Sequence, residues 1–157
     1  MILATRKRQQ SQGQDDVTTK TDELILPMLA SAAAAGMART LTNARLIKWG
    51  HSHISDDTFL VASELINNAV NATPGQQITY RLSREAKEIL VAVWDSSDRV
   101  PTPGQPTEPT LDDLDLSPEH WDDNGGWGLN IVATIASSCG YTRDPSGGKW
   151  VWARLKP

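Results

Sequence analysis

The strand-like segments of this chain come in adjacent pairs, and that order restricts the fold more than any other feature. Ile78-Thr79-Tyr80-Arg81-Leu82 alternates apolar and polar, and the nearly unbroken apolar run Ile89-Leu90-Val91-Ala92-Val93-Trp94 follows after a short polar break. Near the end, Tyr141-Thr142-Arg143, a turn at Pro145-Ser146-Gly147-Gly148 and the segment from Trp150 to Leu155 make a second pair. No helix fits between the members of either pair, whereas parallel neighbours need a long crossover there. The order reads helix, helix, strand, strand, long loop, helix, strand, strand. It predicts an α+β domain: a two-layer α/β sandwich with helices packed on one face of a mixed, mostly antiparallel sheet.

The 157 residues suit one domain. Residues 1–21 are polar and aperiodic after a few apolar positions, which reads as a disordered tail before a single domain at 22–157. Leu24-Ile25-Leu26 reads as an edge strand stopped by Pro27. A helix is expected from Ala30 to Trp49, closed by Gly50. A second opens at Ser55 as N-cap, with Asp56 and Asp57 in its first turn, and runs to about Thr73 before Pro74-Gly75. The apolar run at 89–94 reads as a strand covered on both faces. Residues 96–124 hold five prolines and many acids, a connection too long to be an ordinary loop. A third helix spans about Gly126 to Ser138, with Cys139 buried at its end.

Charge and cysteine content exclude several classes. A net charge of −4 supplies no basic field for a nucleic-acid backbone, so no direct nucleic-acid partner is expected. The one cysteine cannot make a disulfide within the chain and suits a reducing compartment. No apolar stretch approaches a membrane span, and Arg6-Lys7-Arg8 interrupts any signal-peptide core. A cytoplasmic protein without a membrane partner is the expectation. His51 and His53 lack further ligands at metal spacing and read as surface histidines.

Three places carry chemistry. On the second helix, Glu64, Asn67, Asn68 and Asn71 share one face, opposite Ala62, Leu65, Ile66, Ala69 and Val70. Taken alone, such a stripe is a solvated face. Asparagine, however, costs about 0.5 kcal/mol per position against alanine in a helix, and a carboxylate and an amide oxygen one turn apart suit a hard cation such as Mg²⁺. Asp95 leaves the apolar strand, followed by Ser96-Ser97; it is a turn residue or an acceptor for an exocyclic amine. Gly125-Gly126-Trp127-Gly128-Leu129 opens the third helix, where bare backbone N–H groups and the helix dipole favour phosphate.

Each signal is weak singly, but their order resembles the GHKL (Bergerat-fold) ATPase superfamily: Glu-Leu-x-x-Asn-Ala on a helix, two strands ending in Asp, a long lid at 96–124, then Gly-x-Gly-Leu opening a helix. Within it the chain is similar to the actinobacterial anti-sigma-factor serine/threonine kinases and related single-domain ATP-binding regulators, over roughly residue 24 to the end. The resemblance implies ATP and Mg²⁺ as cofactors. It implies Glu64 as general base, Asn68 as the Mg²⁺ ligand, Asp95 as reader of the adenine amino group, and Gly125, Gly126 and Gly128 beside the phosphates, with Leu129 following them. Ser97 stands where that family usually has glycine, and Trp150 falls where it commonly places a threonine by the adenine. Arg99 is the nearest basic candidate for a phosphate contact. The implied activity is phosphorylation of a serine on an antagonist protein of the anti-anti-sigma type, in a partner switch with room for a sigma factor. Homodimers are common in that family, so a homodimer is also allowed. The alternative is a non-catalytic protein-interaction module with weak or lost nucleotide binding, which Trp127, Trp150 and the acidic lid favour.

Overall fold

The computed structural model describes residues 18–20, 22–99 and 126–157. Alternation is what folds the sheet. Leu24, Leu26 and Met28 in β2 (Glu23–Leu29), Ile78, Tyr80 and Leu82 in β3 (Gln77–Arg84), and Ile89, Val91 and Val93 in β4 (Ile89–Asp95) all turn inward and are buried. Val151, Ala153 and Leu155 do the same in β6 (Lys149–Leu155). With β1 (Thr18–Lys20) and β5 (Ser138–Arg143) the strands form one sheet in the order β1-β2-β3-β4-β6-β5. Every pairing among the described residues is antiparallel, in keeping with the two-layer α/β sandwich expected.

The inward faces meet helices α1 (Ala34–Trp49), α2 (Ser55–Ala72) and α3 (Gly126–Ile135) in a single apolar core, the second layer of the sandwich. One polar contact crosses it: Thr42 on α1 and Tyr80 on β3 share a buried hydrogen bond of 2.6 Å between their hydroxyls. Burial pushes the Tyr80 hydroxyl well above its ordinary range. Gly50 closes α1 with φ 77°, its N–H on the Ile47 carbonyl.

Several local expectations shift. Thr18–Lys20 forms an edge strand on β2 instead of tail, and β2 passes through Pro27. β1 covers only Glu23, Leu24 and Ile25, so Pro27 lies where the outer edge of β2 has no partner among the described residues, a place that tolerates a missing N–H. Helix α1 begins at Ala34, four residues later than the alanine composition suggests. Ser55 lies inside α2, and Ile54, at the end of a 3₁₀ turn (Ser52–Ile54), takes the capping position. Helices cover β4 on one face only. On the other, Trp150, Trp152 and Arg154 stand opposite Trp94, Ala92 and Leu90 across the β4–β6 ladder, and large cross-strand neighbours shield that face. Cys139 is exposed on β5, because α3 ends before the strand begins.

The start of β6 approaches the end of β4 so closely that only glycine fits. A Cβ on Gly148 would collide with the Asp95 carbonyl oxygen and lie 2.8 Å from the Trp94 ring, and φ there is +73°. Gly148→Ala is therefore expected to lose at least ~2 kcal/mol of stability. In a thermal melt this reads as a fall of roughly 5 °C or more. An unchanged melting temperature would mean that the β4–β6 junction is looser than drawn.

Candidate functional site

Helix α2 sorts its polar stripe into two classes. Val61, Ala62, Leu65, Ile66 and Ala69 are buried against the sheet, Asn67 and Asn71 are exposed, and Glu64 and Asn68 are half-buried at the border between the two. Leu65, next to Glu64 in the chain, shares an apolar cleft with Leu129 and Val132 of α3. Burial pushes the Glu64 carboxyl above its ordinary value, the direction that suits a proton acceptor working near neutrality. The amide nitrogen of Asn68 is buried and has no hydrogen-bond partner among the described residues. A donor left unmatched in a native fold asks for a ligand, and a phosphate oxygen supplies the acceptor.

Asp95 ends β4 facing inward and is 3% exposed. Its Oδ1 accepts the Ser97 N–H at 2.9 Å, closing a local turn. The same oxygen accepts from Lys149 Nζ at 2.6 Å, and Lys149 also donates to the Ser97 carbonyl at 3.2 Å. Lys149, itself 5% exposed, is the member of this cluster that sequence reasoning misses. Its signal was available: Lys149, Val151, Ala153 and Leu155 share the inward face of β6, and a lysine in that row needs a partner. Ser97 sits without strain, because no described residue other than glycine has a positive φ. The glycine usual there in the family the chain resembles is not required by this backbone.

Trp150 is not where the sequence reading put it. Lys149, not Trp150, stands opposite Asp95 in the β4–β6 register, and the adjacent Trp150 therefore points to the far face of the sheet. There its ring N–H donates to Asp144 Oδ2 at 3.1 Å, and it lines an open depression with Arg81, Leu90 and Trp152. Arg99 is exposed, and the contact it makes in this turn is through its backbone N–H, on Ser97 Oγ at 3.1 Å. Gly126 and Gly128 fall in the first turn of α3, and Leu129 packs toward α2. Gly125, most of the lid and the side chain of Trp127 lie outside the described residues.

The candidate site thus has three parts: a helix edge carrying Glu64 and Asn68, a strand end carrying Asp95 and Lys149, and the opening turn of α3. A family model for the histidine kinase-like ATPase domain matches residues 20–155. The chain belongs to that family. No curated protein matches it. For a histidine kinase-like ATPase domain the residues present fit ATP with Mg²⁺: the unmatched Asn68 amide suits a phosphate oxygen, and its carbonyl oxygen suits the cation. Among the described residues no three His, Cys, Asp or Glu side chains cluster as metal ligands. A Mg²⁺ ion here would be held by Asn68 together with the phosphates and water. No helix among the described residues is long and apolar enough to cross a membrane.

Proposed function

We propose that this ATPase domain binds ATP with Mg²⁺ between α2, the end of β4 and the start of α3, and transfers the γ-phosphoryl group to a serine or threonine hydroxyl of an antagonist protein. The observation that carries this reading is the pairing, one helical turn apart, of a half-buried Glu64 whose proton affinity is raised with an Asn68 amide that lacks a partner. Asn68 would hold the metal, and Mg²⁺ there would supply positive charge that offsets the triphosphate. Glu64 would accept the proton of the attacking hydroxyl as its oxygen bonds to the γ-phosphorus and the bond to the leaving ADP breaks, so that ADP, a phosphoserine or phosphothreonine and one proton on Glu64 account for all atoms. The ordered turn Asp95–Ser97 would hold the base. Phosphorylation places about two negative charges on the partner's surface, enough to break or make a docking contact. That is the logic of a partner switch, in which the antagonist alternates between this cytoplasmic kinase and release, and a sigma factor is freed or held accordingly. A homodimer is compatible with this scheme.

The test is transfer of labelled phosphate from ATP to a candidate antagonist, with Glu64→Gln as control. Equal transfer by that variant removes Glu64 as base. A second reading has a specific observation behind it: Lys149 already occupies the Asp95 carboxylate. On that reading the fold is a non-catalytic interaction module. Absence of nucleotide binding together with retained partner binding would establish it.

A further inference from the structure

Lys149 opposes Asp95 at the end of the β4–β6 ladder, and both side chains are buried on the helix-facing side. A buried ammonium is costly unless its protons are matched. Lys149 places one on Asp95 Oδ1 at 2.6 Å and one on the Ser97 carbonyl at 3.2 Å, and an ammonium has a third. On the carboxylate, Lys149 and the Ser97 N–H both go to Oδ1, and among the described residues no hydrogen bond reaches Oδ2. The pair therefore offers an acceptor, Oδ2, next to a cationic donor, the remaining Lys149 proton.

A carboxylate standing alone reads a base in one sense only. It accepts from the 6-amino group of adenine, and it repels the 6-oxygen of guanine or hypoxanthine, because two acceptors then face each other. The Asp95–Lys149 pair has no such bias. Toward adenine, Oδ2 accepts from the 6-amino group and Lys149 donates to N1. Toward a 6-oxopurine, Lys149 donates to the 6-oxygen and Oδ2 accepts from N1–H. Donor and acceptor exchange places along the base edge between the two arrangements, so a 6-oxopurine would sit turned over relative to adenine.

We propose that Lys149 is a specificity-determining residue that opens the base pocket to 6-oxopurine nucleotides, so that inosine and guanosine triphosphates bind alongside ATP. The proposal rests on the nucleotide-site reading given above and adds the base class to it. Inosine triphosphate is the sharpest probe, since it differs from ATP only at this edge.

Dissociation constants of the full-length protein for ATP, inosine triphosphate and GTP, each with Mg²⁺, decide it by calorimetry. The wild type is expected to bind inosine triphosphate within roughly threefold of ATP, less than the discrimination of a single well-made base contact. In Lys149→Thr, which keeps a short hydroxyl donor and removes the charge, ATP is expected to be favoured by about tenfold or more. A circular dichroism spectrum and melt establish that the variant is folded; the wild-type ratio decides alone if it is not. ATP preferred by the wild type by more than about thirtyfold, or a ratio that Lys149→Thr leaves unchanged, overturns the proposal and leaves the nucleotide site standing. Failure of all three nucleotides to bind overturns the nucleotide site itself, and the proposal with it.

Discussion

Lys149→Met is expected to destabilise the domain by about 3–5 kcal/mol, because it leaves the Asp95 carboxylate buried without its counter-charge. Both members of the pair are almost fully enclosed, at 3% and 5% exposure, so solvent offers little compensation. Against a typical total of about 5–15 kcal/mol this is a large share, visible as a marked fall in the midpoint of urea unfolding. The cause is separable from lost packing. Replacing both partners, Asp95→Leu with Lys149→Met, removes the orphaned charge along with the pair and is expected to restore most of the loss. A single-variant loss below about 1 kcal/mol would place the pair in water, at the level of a surface ion pair. Surface pairs of that kind exist here for comparison, such as Arg154 with Glu85 at 2.9 Å, each side chain more than a third exposed.

Glu64→Gln is expected to slow phosphoryl transfer by about 10²–10⁴-fold, the usual share of a positioned general base. ATP affinity should stay within about threefold, since the amide keeps the shape of the side chain. Stability gives an independent check of sign. Burial raises the folded-state proton affinity of Glu64, so between its ordinary and raised values the folded state holds more proton than the unfolded state. Stability therefore falls as pH rises through that window, and the ionised carboxylate is a burden at neutral pH. Glutamine carries no such burden. The variant should be at least as stable as the parent at pH 7.5, and should lose that advantage at a pH below the ordinary carboxylate range. Loss of transfer accompanied by a lower melting temperature at pH 7.5 would point to damage to α2 instead of a missing base.

The periodicities were legible because they are local. The inward row Ile78-Tyr80-Leu82 follows from alternation alone, whereas the unbroken apolar run 89–94 hides which of its faces turns inward; the adjacency of strands in the chain leads directly to antiparallel neighbours. Glu64 and Asn68 were legible for the same reason, since one helical turn relates them whatever else the chain does. Lys149 was not, because its role depends on a register set by a distant strand. A one-residue slip between β4 and β6 exchanges Lys149 for Trp150 opposite Asp95, and the family resemblance, which carries no register, points to Trp150. Cys139 failed through a boundary: α3 ends at Ile135, and the residue expected to close a helix instead sits on an exposed edge strand. Pro27 does not stop β2, because β1 leaves that part of its outer edge open and no partner among the described residues needs the missing N–H there.

The most direct test of the account is calorimetric titration of the intact protein with ATP and Mg²⁺, run beside Asn68→Ala. A nucleotide site built on α2 and the end of β4 predicts a dissociation constant on the order of micromolar for the wild type, weakened by about tenfold or more in the variant, which lacks the buried amide awaiting a partner. No binding by the wild type at millimolar ATP, or equal binding by Asn68→Ala, would contradict it.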